Sequence, residues 1–362
     1  MGEPSLHRVV ILDAHVPEDH RRWISVWRKC PSREVFAHPA YVELEADSDR
    51  TRARAAILET DDGTVLYPFL QRRLDTLSCW TPDIGAASDI TAPYGYGGPN
   101  VWGATDRDAL AAQFWDAFDL WAMRERIVSE FVRFSLFADS MLPYRGEREE
   151  RQANVVRSLT LPIEAIWMDF EHKVRKNVKK AQRSALHIVH DEGERLEAFL
   201  DIYAHTMDRR TAHDRYYFPR EYFLRLQQQL PGQFRYFHAV LDGRVVSTEL
   251  VLISENSVYS FLGGTRDAAF EHRPNDLLKH AIITWAQEQG KENFVLGGGV
   301  EPEDGIFRYK LAFAPEGRCS FFVGTRILLP ELYERLRLTR LSHAAAEGAM
   351  PPRPGYFPAY RG

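Results

Sequence analysis

Apolar positions along this chain switch between period two and period 3.6, and the order of the switches is used twice. In the first half, Ala53 to Leu70 reads as two strands joined at Asp62-Gly63, a dipeptide suited to a tight hairpin because both positions tolerate positive φ. A glycine-rich loop follows, Pro93-Tyr94-Gly95-Tyr96-Gly97-Gly98-Pro99. From Asp106 to Arg124 the apolar residues recur at helical spacing, with Leu110, Phe114, Ala117, Phe118 and Trp121 on one face, and Ile127 to Leu136 alternates as a strand.

The second half repeats this order. Strands over Phe234 to Leu241 and Arg244 to Ile253 flank Asp242-Gly243, and a third, Ser257 to Gly263, ends at Gly263-Gly264. A helix is predicted from Asn275 as N-cap, with Leu277, Leu278, Ala281, Ile282 and Trp285 facing inward, and Asn293 to Leu296 forms the next strand. The helix ends echo one another as Leu120-Trp121-Ala122 and Thr284-Trp285-Ala286, which suggests an ancient duplication. Hairpin, loop, helix and strand in this order resemble the central part of a GNAT acyltransferase fold. The expected fold class is therefore α+β, with two tandem GNAT-like domains, each a mixed β-sheet flanked by helices.

Length agrees with that division. A chain of 362 residues with 44% hydrophobic positions exceeds what one core usually serves. The segment Gly348 to Gly362, rich in Pro and Gly, reads as loosely structured. The N-terminus lacks a basic-then-apolar signal pattern, and no run of about 18 apolar residues occurs, so the expectation is a cytoplasmic protein without a membrane span. Cys30, Cys79 and Cys319 are far apart and form no CxxC pair, which argues against a disulfide scaffold or zinc knuckle and for solitary thiols. A net charge of −5 excludes coating of nucleic acid by bulk electrostatics but leaves local patches open. The oligomeric state is open, with a monomer the simplest expectation.

Candidate chemistry concentrates in the second half. Lys310 falls in a short strand-like run where Phe307, Tyr309, Leu311 and Phe313 share one face and Arg308 and Lys310 the other. A lysine beside Gly297-Gly298-Gly299, where backbone can approach a substrate without Cβ interference, suits an oxyanion stabiliser. Asp304 either orients Lys310, accepts a proton, or simply serves the turn before Gly305. His172 to Ser184 reads as a helix with Val174, Val178, Ala181 and Ala185 on one side and Lys176, Lys179, Lys180 and Arg183 on the other. With Lys173 and Arg175 this makes six cations in eleven residues and no acid. Such a run is often just a solvated face; in an acidic protein it also makes a phosphate-binding surface. Arg209, Arg210, Arg215 and Arg220 lie among Tyr216, Tyr217 and Phe218, a mixture fitted to bind phosphate or carboxylate beside stacking rings. His187 and His190 lack further ligands, so no metal is expected, and no nucleophile motif suggests a catalytic triad.

Four stretches together resemble the Fem family of aminoacyl-tRNA-dependent peptidyltransferases. They are Pro93 to Pro99; Arg175-Lys176-Asn177-Val178-Lys179-Lys180-Ala181; Leu262-Gly263-Gly264-Thr265 with Arg273-Pro274-Asn275-Asp276-Leu277-Leu278; and Leu296-Gly297-Gly298-Gly299 with Asp304-Gly305-Ile306-Phe307-Arg308-Tyr309-Lys310-Leu311-Ala312-Phe313. Tyr309 departs from the family's usual Phe before the lysine. There is no room for the helical arm of the longer members, so the resemblance is to the short branch, in which the C-terminal segment returns to the first domain. The expected domains are thus 1–160 with 330–362, and 161–329.

The resemblance implies an enzyme that forms an amide between a tRNA-borne amino acid and an amine of a small-molecule or peptide-like acceptor, either a peptidoglycan precursor or an antibiotic-pathway intermediate. It implies no bound cofactor, with aminoacyl-tRNA as co-substrate. Lys310 matches the family's stabilising lysine, and Arg175, Lys176, Lys179, Lys180 and Arg183 would meet the tRNA acceptor arm. Arg209 or Arg210 would bind the acceptor, with Tyr94, Tyr96 and Tyr217 lining its cleft beside Gly297, Gly298 and Gly299. The rival is an acyl-CoA-dependent GNAT N-acyltransferase, which usually carries R/Q-x-x-G-x-G/A before a helix to hold pyrophosphate. Thr265 to Asn275, with Phe270, His272 and Arg273, is longer and bulkier. A binding protein that kept the fold without catalysis is the third reading.

Overall fold

A computed structural model describes residues 9–46, 50–78, 80–347 and 350–362. Cys79 and Gly348 lie outside the described residues. In chain order the strands are β1 Val10–Asp13, β2 Thr51–Thr60, β3 Gly63–Arg73, β4 Ser88–Thr91, β5 Asn100–Trp102, β6 Ile127–Arg133, β7 Glu147–Glu150 and β8 Asn154–Ser158. They continue as β9 His187–Asp191, β10 Phe234–Leu241, β11 Arg244–Ile253, β12 Ser257–Thr265, β13 Asn293–Gly297, β14 Arg318–Cys319 and β15 Phe322–Ile327. The helices are α1 Pro17–Lys29, α2 Pro39–Leu44, α3 Arg107–Arg124, α4 Ile163–Asp169, α5 His172–Gln182, α6 Leu196–Arg209, α7 Arg220–Gln229, α8 Pro274–Glu288, α9 Gly305–Leu311 and α10 Pro330–Glu347.

The chain divides into two compact units, residues 1–31, 36–151 and 321–362 in the first and residues 32–35 and 152–320 in the second. In the first, the sheet runs β1-β2-β3-β4-β6-β15-β7, with β5 also paired to β3. In the second it runs β14-β8-β13-β12-β11-β10-β9. Every neighbouring pair is antiparallel except β4 with β6 and β12 with β13. The two sheets therefore have one design: four antiparallel strands, a parallel step, then three more antiparallel strands. A helix, α3 or α8, spans each parallel step, as a parallel connection requires. The strand next to β6 or β13, on the side away from the step, is recruited from a distant part of the chain in both units, β15 in the first and β8 in the second.

Aromatic residues carry much of the packing. In the first unit Phe114, Trp115 and Phe118 of α3 lie against Tyr67 and Phe69 of β3, while Trp23 and Trp27 of α1 cover the other face. In the second, α5 and α8 supply Val174, Val178, Ala181, Leu278 and Ile282 to one face. Phe199, Tyr203 and Phe223 of α6 and α7 cluster with Tyr236 of β10.

Several local expectations shift. The first hairpin turns on Asp61-Asp62, with Thr60 paired to Gly63, because Gly63 at φ +140° opens β3 where a Cβ would stand 2.9 Å from Ala104 Cα. The second turns on Asp242-Gly243, both at positive φ. Helix α8 starts at Pro274, not after an Asn275 cap; Pro has no N–H to leave unpaired at that position. Helix α5 ends at Gln182, which leaves Ala185 exposed and makes Leu186 the next buried residue. The C-terminal tail is not loose at its end. Tyr360 is buried, its hydroxyl bonded to Ser129 (2.7 Å) and Asp89 (3.1 Å), and Arg361 Nε donates to Asp89 at 2.5 Å.

Candidate active site

In the second unit β12 and β13 are hydrogen-bonded only from Ser257 to Tyr259 against Asn293 to Val295; beyond that they part. A bulge helps to open them. Leu250 of β11 pairs with Leu262 and Val251 with Ser260, so Phe261 is the extra residue that bends β12 away. Beyond the parting point β13 runs into Gly297-Gly298-Gly299. Gly297 has φ +81°, and a Cβ on Gly299 would come 2.4 Å from the Asp304 carboxylate, so the tight loop needs these glycines.

Asp304 ties this loop to α9. Its Oδ1 accepts from Phe307 N at 2.8 Å, and its Oδ2 from Val300 N at 2.8 Å and Glu301 N at 3.2 Å. This is an N-cap, and the backbone donors hold its carboxyl below the usual aspartate range. Residues Gly305–Leu311 are consequently helical, not the strand expected from period-two alternation. Phe307 and Ala312 are buried on one side of this turn while Arg308 is exposed.

The helix aims Lys310 back at the glycine loop, where its Nζ donates to the Gly298 carbonyl at 2.7 Å. Burial pushes the Lys310 ammonium down to about 8, the neighbouring Lys279 adds to this, and Glu249 and Asp304 oppose it. Tyr309 packs on Phe313 and accepts from Asn275 Nδ2 at 2.9 Å; burial keeps its phenol neutral. Within electrostatic reach of Lys310 lies a buried ion pair, Lys279 Nζ to Glu249 Oε1 at 2.5 Å, with Ser260 Oγ at 2.8 Å.

The structure thus brings together Lys310, Asp304, Gly297, Gly298 and Gly299. Arg209, Arg210 and Tyr217 form a separate group at the end of α6. Arg209 lies over the Phe270 ring at 4.7 Å, Arg210 is the C-cap, and the Tyr217 hydroxyl donates to Asp208 at 2.9 Å. Helix α6 reaches β12 only because Gly264 lacks a side chain; a Cβ there would fall 2.3 Å from Thr206 Oγ1.

On α5, Lys176, Lys179, Lys180 and Arg183 are exposed, with Lys179 6.0 Å from the Trp167 ring centre and Arg183 Nε donating to the Lys179 carbonyl. Arg175 departs from this face. Its Nη1 donates to the Met168 carbonyl at 2.6 Å and to that of Phe170, so it closes the end of α4. Tyr94 and Tyr96 belong to the first unit. Tyr94 accepts at its carbonyl from the Tyr41 hydroxyl and has Arg133 5.6 Å from its ring centre; Tyr96 packs between Phe36 and Phe321.

Sequence reasoning missed Glu249, Lys279 and Ser260. A signal existed for two of them. Glu249 is the one acid within the apolar run Val245 to Ile253, and Lys279 interrupts the inward face of α8 beside Leu278 and Ile282.

Residues 170–311, from α5 to α9, match the family described as "Acetyltransferase (GNAT) domain". Among solved structures the chain is similar to FemX, with 12% identity and a TM-score of 0.68, covering 87% of this chain and 98% of that one. It is also similar to L-PGS from Bacillus licheniformis, with 13% identity and a TM-score of 0.55, over 90% and 96% of the two chains. A third is the C-terminal domain of an Agrobacterium fabrum protein assigned as a lysylphosphatidylglycerol synthetase, with 13% identity and a TM-score of 0.51, over 85% and 91%. No curated protein matches the sequence. The class is therefore a two-domain protein of the GNAT acyltransferase fold. In fold it resembles FemX: α+β, with two mixed sheets flanked by helices.

Proposed function

We propose that this protein is an aminoacyltransferase that moves an amino acid from aminoacyl-tRNA to an amine of a small-molecule or peptide-like acceptor, forming an amide. The observation that carries the reading is Lys310, a cation withdrawn from water and already donating to a carbonyl oxygen where the two central strands part. Attack by a neutral amine on an ester places negative charge on the former carbonyl oxygen. An ammonium fixed at that position stabilises the transition state more than the ground state. The C–N bond forms as the C–O bond to the ribose breaks, and the amine's proton leaves with the departing oxygen.

Two further features support an aminoacyl-tRNA donor over acyl-CoA. Helix α5 and its C-cap display Lys176, Lys179, Lys180 and Arg183 to solvent, a surface suited to the phosphates of an acceptor arm. At the start of α8, where a GNAT enzyme would seat pyrophosphate on free amides, Asp267–His272 is wound into a 3-10 turn, Pro274 has no N–H, and the buried Asp276 carboxylate fills the first turn, accepting from Asn177 at 3.1 Å. The lysylphosphatidylglycerol synthetase named above is, by that name, concerned with a lysyl-bearing product. A tRNA-borne substrate also favours action in the cytoplasm, and no helix among the described residues is long and apolar enough to cross a membrane.

The match to an acetyltransferase domain favours acyl-CoA as the second reading. Incubation with tRNA charged with radiolabelled amino acids, plus a cell extract of small amines and wall precursors, separates the two. RNase-sensitive transfer of label to the extract is the expected result. Transfer that needs acetyl-CoA and ignores RNase would replace the reading.

A further inference from the structure

The second unit buries a lysine and a glutamate that the transfer chemistry does not use. Lys279 of α8 is 6% exposed and Glu249 of β11 is 3% exposed. Besides its bonds to Glu249 and Ser260, the Lys279 ammonium sits 5.6 Å from the centre of the Phe294 ring on β13. As a stability device such a pair does little, because desolvating two charges cancels most of their attraction, and an apolar pair would fill the core as well. Its placement is the informative feature.

Three links lead from the pair to the residues that surround Lys310. Ser260 is the first residue of β12 past its pairing with β13, next to the bulged Phe261. Asn275, one helical turn before Lys279 on the same face of α8, holds the Tyr309 hydroxyl. Phe294, beneath Lys279, leads four residues on to Gly298, whose carbonyl holds the Lys310 ammonium. We propose that Glu249 and Lys279 are positioning residues for Lys310, a fixed anion and a fixed cation whose opposed pulls hold its ammonium at the glycine loop.

Other charged groups around α9 have partners of their own. Asp304 is bound by backbone amides, Asp276 of α8 by Asn177, Arg157 of β8 by Asp169 and the Phe313 carbonyl, and Arg318 of β14 by Glu303. The lowered proton affinity of Lys310 has the matching pattern, with Lys279 next after burial among its causes and Glu249, ahead of Asp304, opposing.

The proposal rests on Lys310 as the oxyanion donor only for its catalytic consequence, so its test reads Lys310 directly. The full chain, carrying 13C,15N-labelled lysine, is titrated by NMR, and the Lys310 resonance is assigned by its loss in Lys310→Arg. Lys279→Met is expected to raise the Lys310 midpoint by about one pH unit and Glu249→Gln to lower it by a similar amount. An unmoved midpoint, or shifts of the opposite sign, in variants whose near-UV circular dichroism is native would overturn the proposal. If Lys279→Met fails to fold, Lys279→Gln keeps a hydrogen-bonding group opposite Glu249 and Ser260 and must show the same rise. Shifts as expected together with undiminished transfer by Lys310→Met would remove the functional reading alone. An inactive Lys310→Met with unmoved midpoints would remove the pair alone.

Discussion

Replacing Lys310 by Met removes the cation and keeps the length of its stem. In the structure this ammonium has one carbonyl partner, Gly298 at 2.7 Å, and is mostly withdrawn from water, so a substrate oxygen in place of that carbonyl would gain a preorganised donor. One such donor is worth about 3 kcal/mol, or roughly 150-fold in kcat near neutral pH. The pH dependence sharpens the test. With Lys310 held at about 8, roughly 90% of it is charged at pH 7 and roughly 10% at pH 9. The acceptor amine titrates in both proteins, so its effect cancels in the ratio of wild-type to Lys310→Met rates. That ratio should fall about tenfold, from roughly 150 to roughly 15, between pH 7 and pH 9. Single-turnover transfer from saturating charged tRNA, sampled by quench flow at half-unit pH steps, measures it. A flat ratio would refute the role of the charged form, and a ratio rising with pH would make Lys310 a base instead.

Three further outcomes follow from the same contacts. Asp304→Asn, which keeps an oxygen to cap α9, should retain most of the transfer rate, whereas Asp304→Ala should lose about 1 kcal/mol of local helix stability and with it the aim of Lys310; equal loss in both would point to proton transfer by the carboxylate. Alanine at Lys176 or Lys180 should raise KM for charged tRNA and lower the salt slope of binding by about one per lysine, while Arg175→Ala should lower thermal stability because its partners are carbonyls of α4 and the loop after it; filter binding and melting curves separate the two effects. Burial pushes Glu34 up to about 7 against the Ser254, Tyr259 and Lys291 groups that favour its charge. Because its folded proton affinity is raised, its stabilising contribution is complete below the ordinary glutamate range and lost as pH rises through about 7, so melting temperature should decline from pH 5 to pH 8 and Glu34→Gln should flatten that decline.

The duplicated order of hairpin, helix and strand was legible because it rests on local rules. The strands expected to flank Asp242-Gly243 are β10 and β11 to the residue, Asp106 caps α3 by accepting from Asp108 N and Ala109 N, and Asp242-Gly243 takes the two positive φ values its turn needs. Where local rules conflicted, a tertiary contact decided. Phe307 to Phe313 alternates like a strand, yet Asp304 capping and the burial of Phe307 and Ala312 wind it into α9 and turn Lys310 toward Gly298. Arg175 reads as one more cation of a phosphate face, yet the carbonyls of Met168 and Phe170 lie within its reach and engage it.

By itself the sequence determined that two α+β units of one design would form, and that a lysine beside three glycines was the group to watch, since periodicity, turn chemistry and glycine's freedom act over a few residues. Only the tertiary structure decided that Glu249 and Lys279, thirty positions apart, would be buried as a pair within electrostatic reach of that lysine. It also decided that β8 and β15 would each complete a sheet far from their neighbours in sequence. Such pairings depend on which apolar faces close on one another, and the charge left between those faces must find its partner wherever packing puts it.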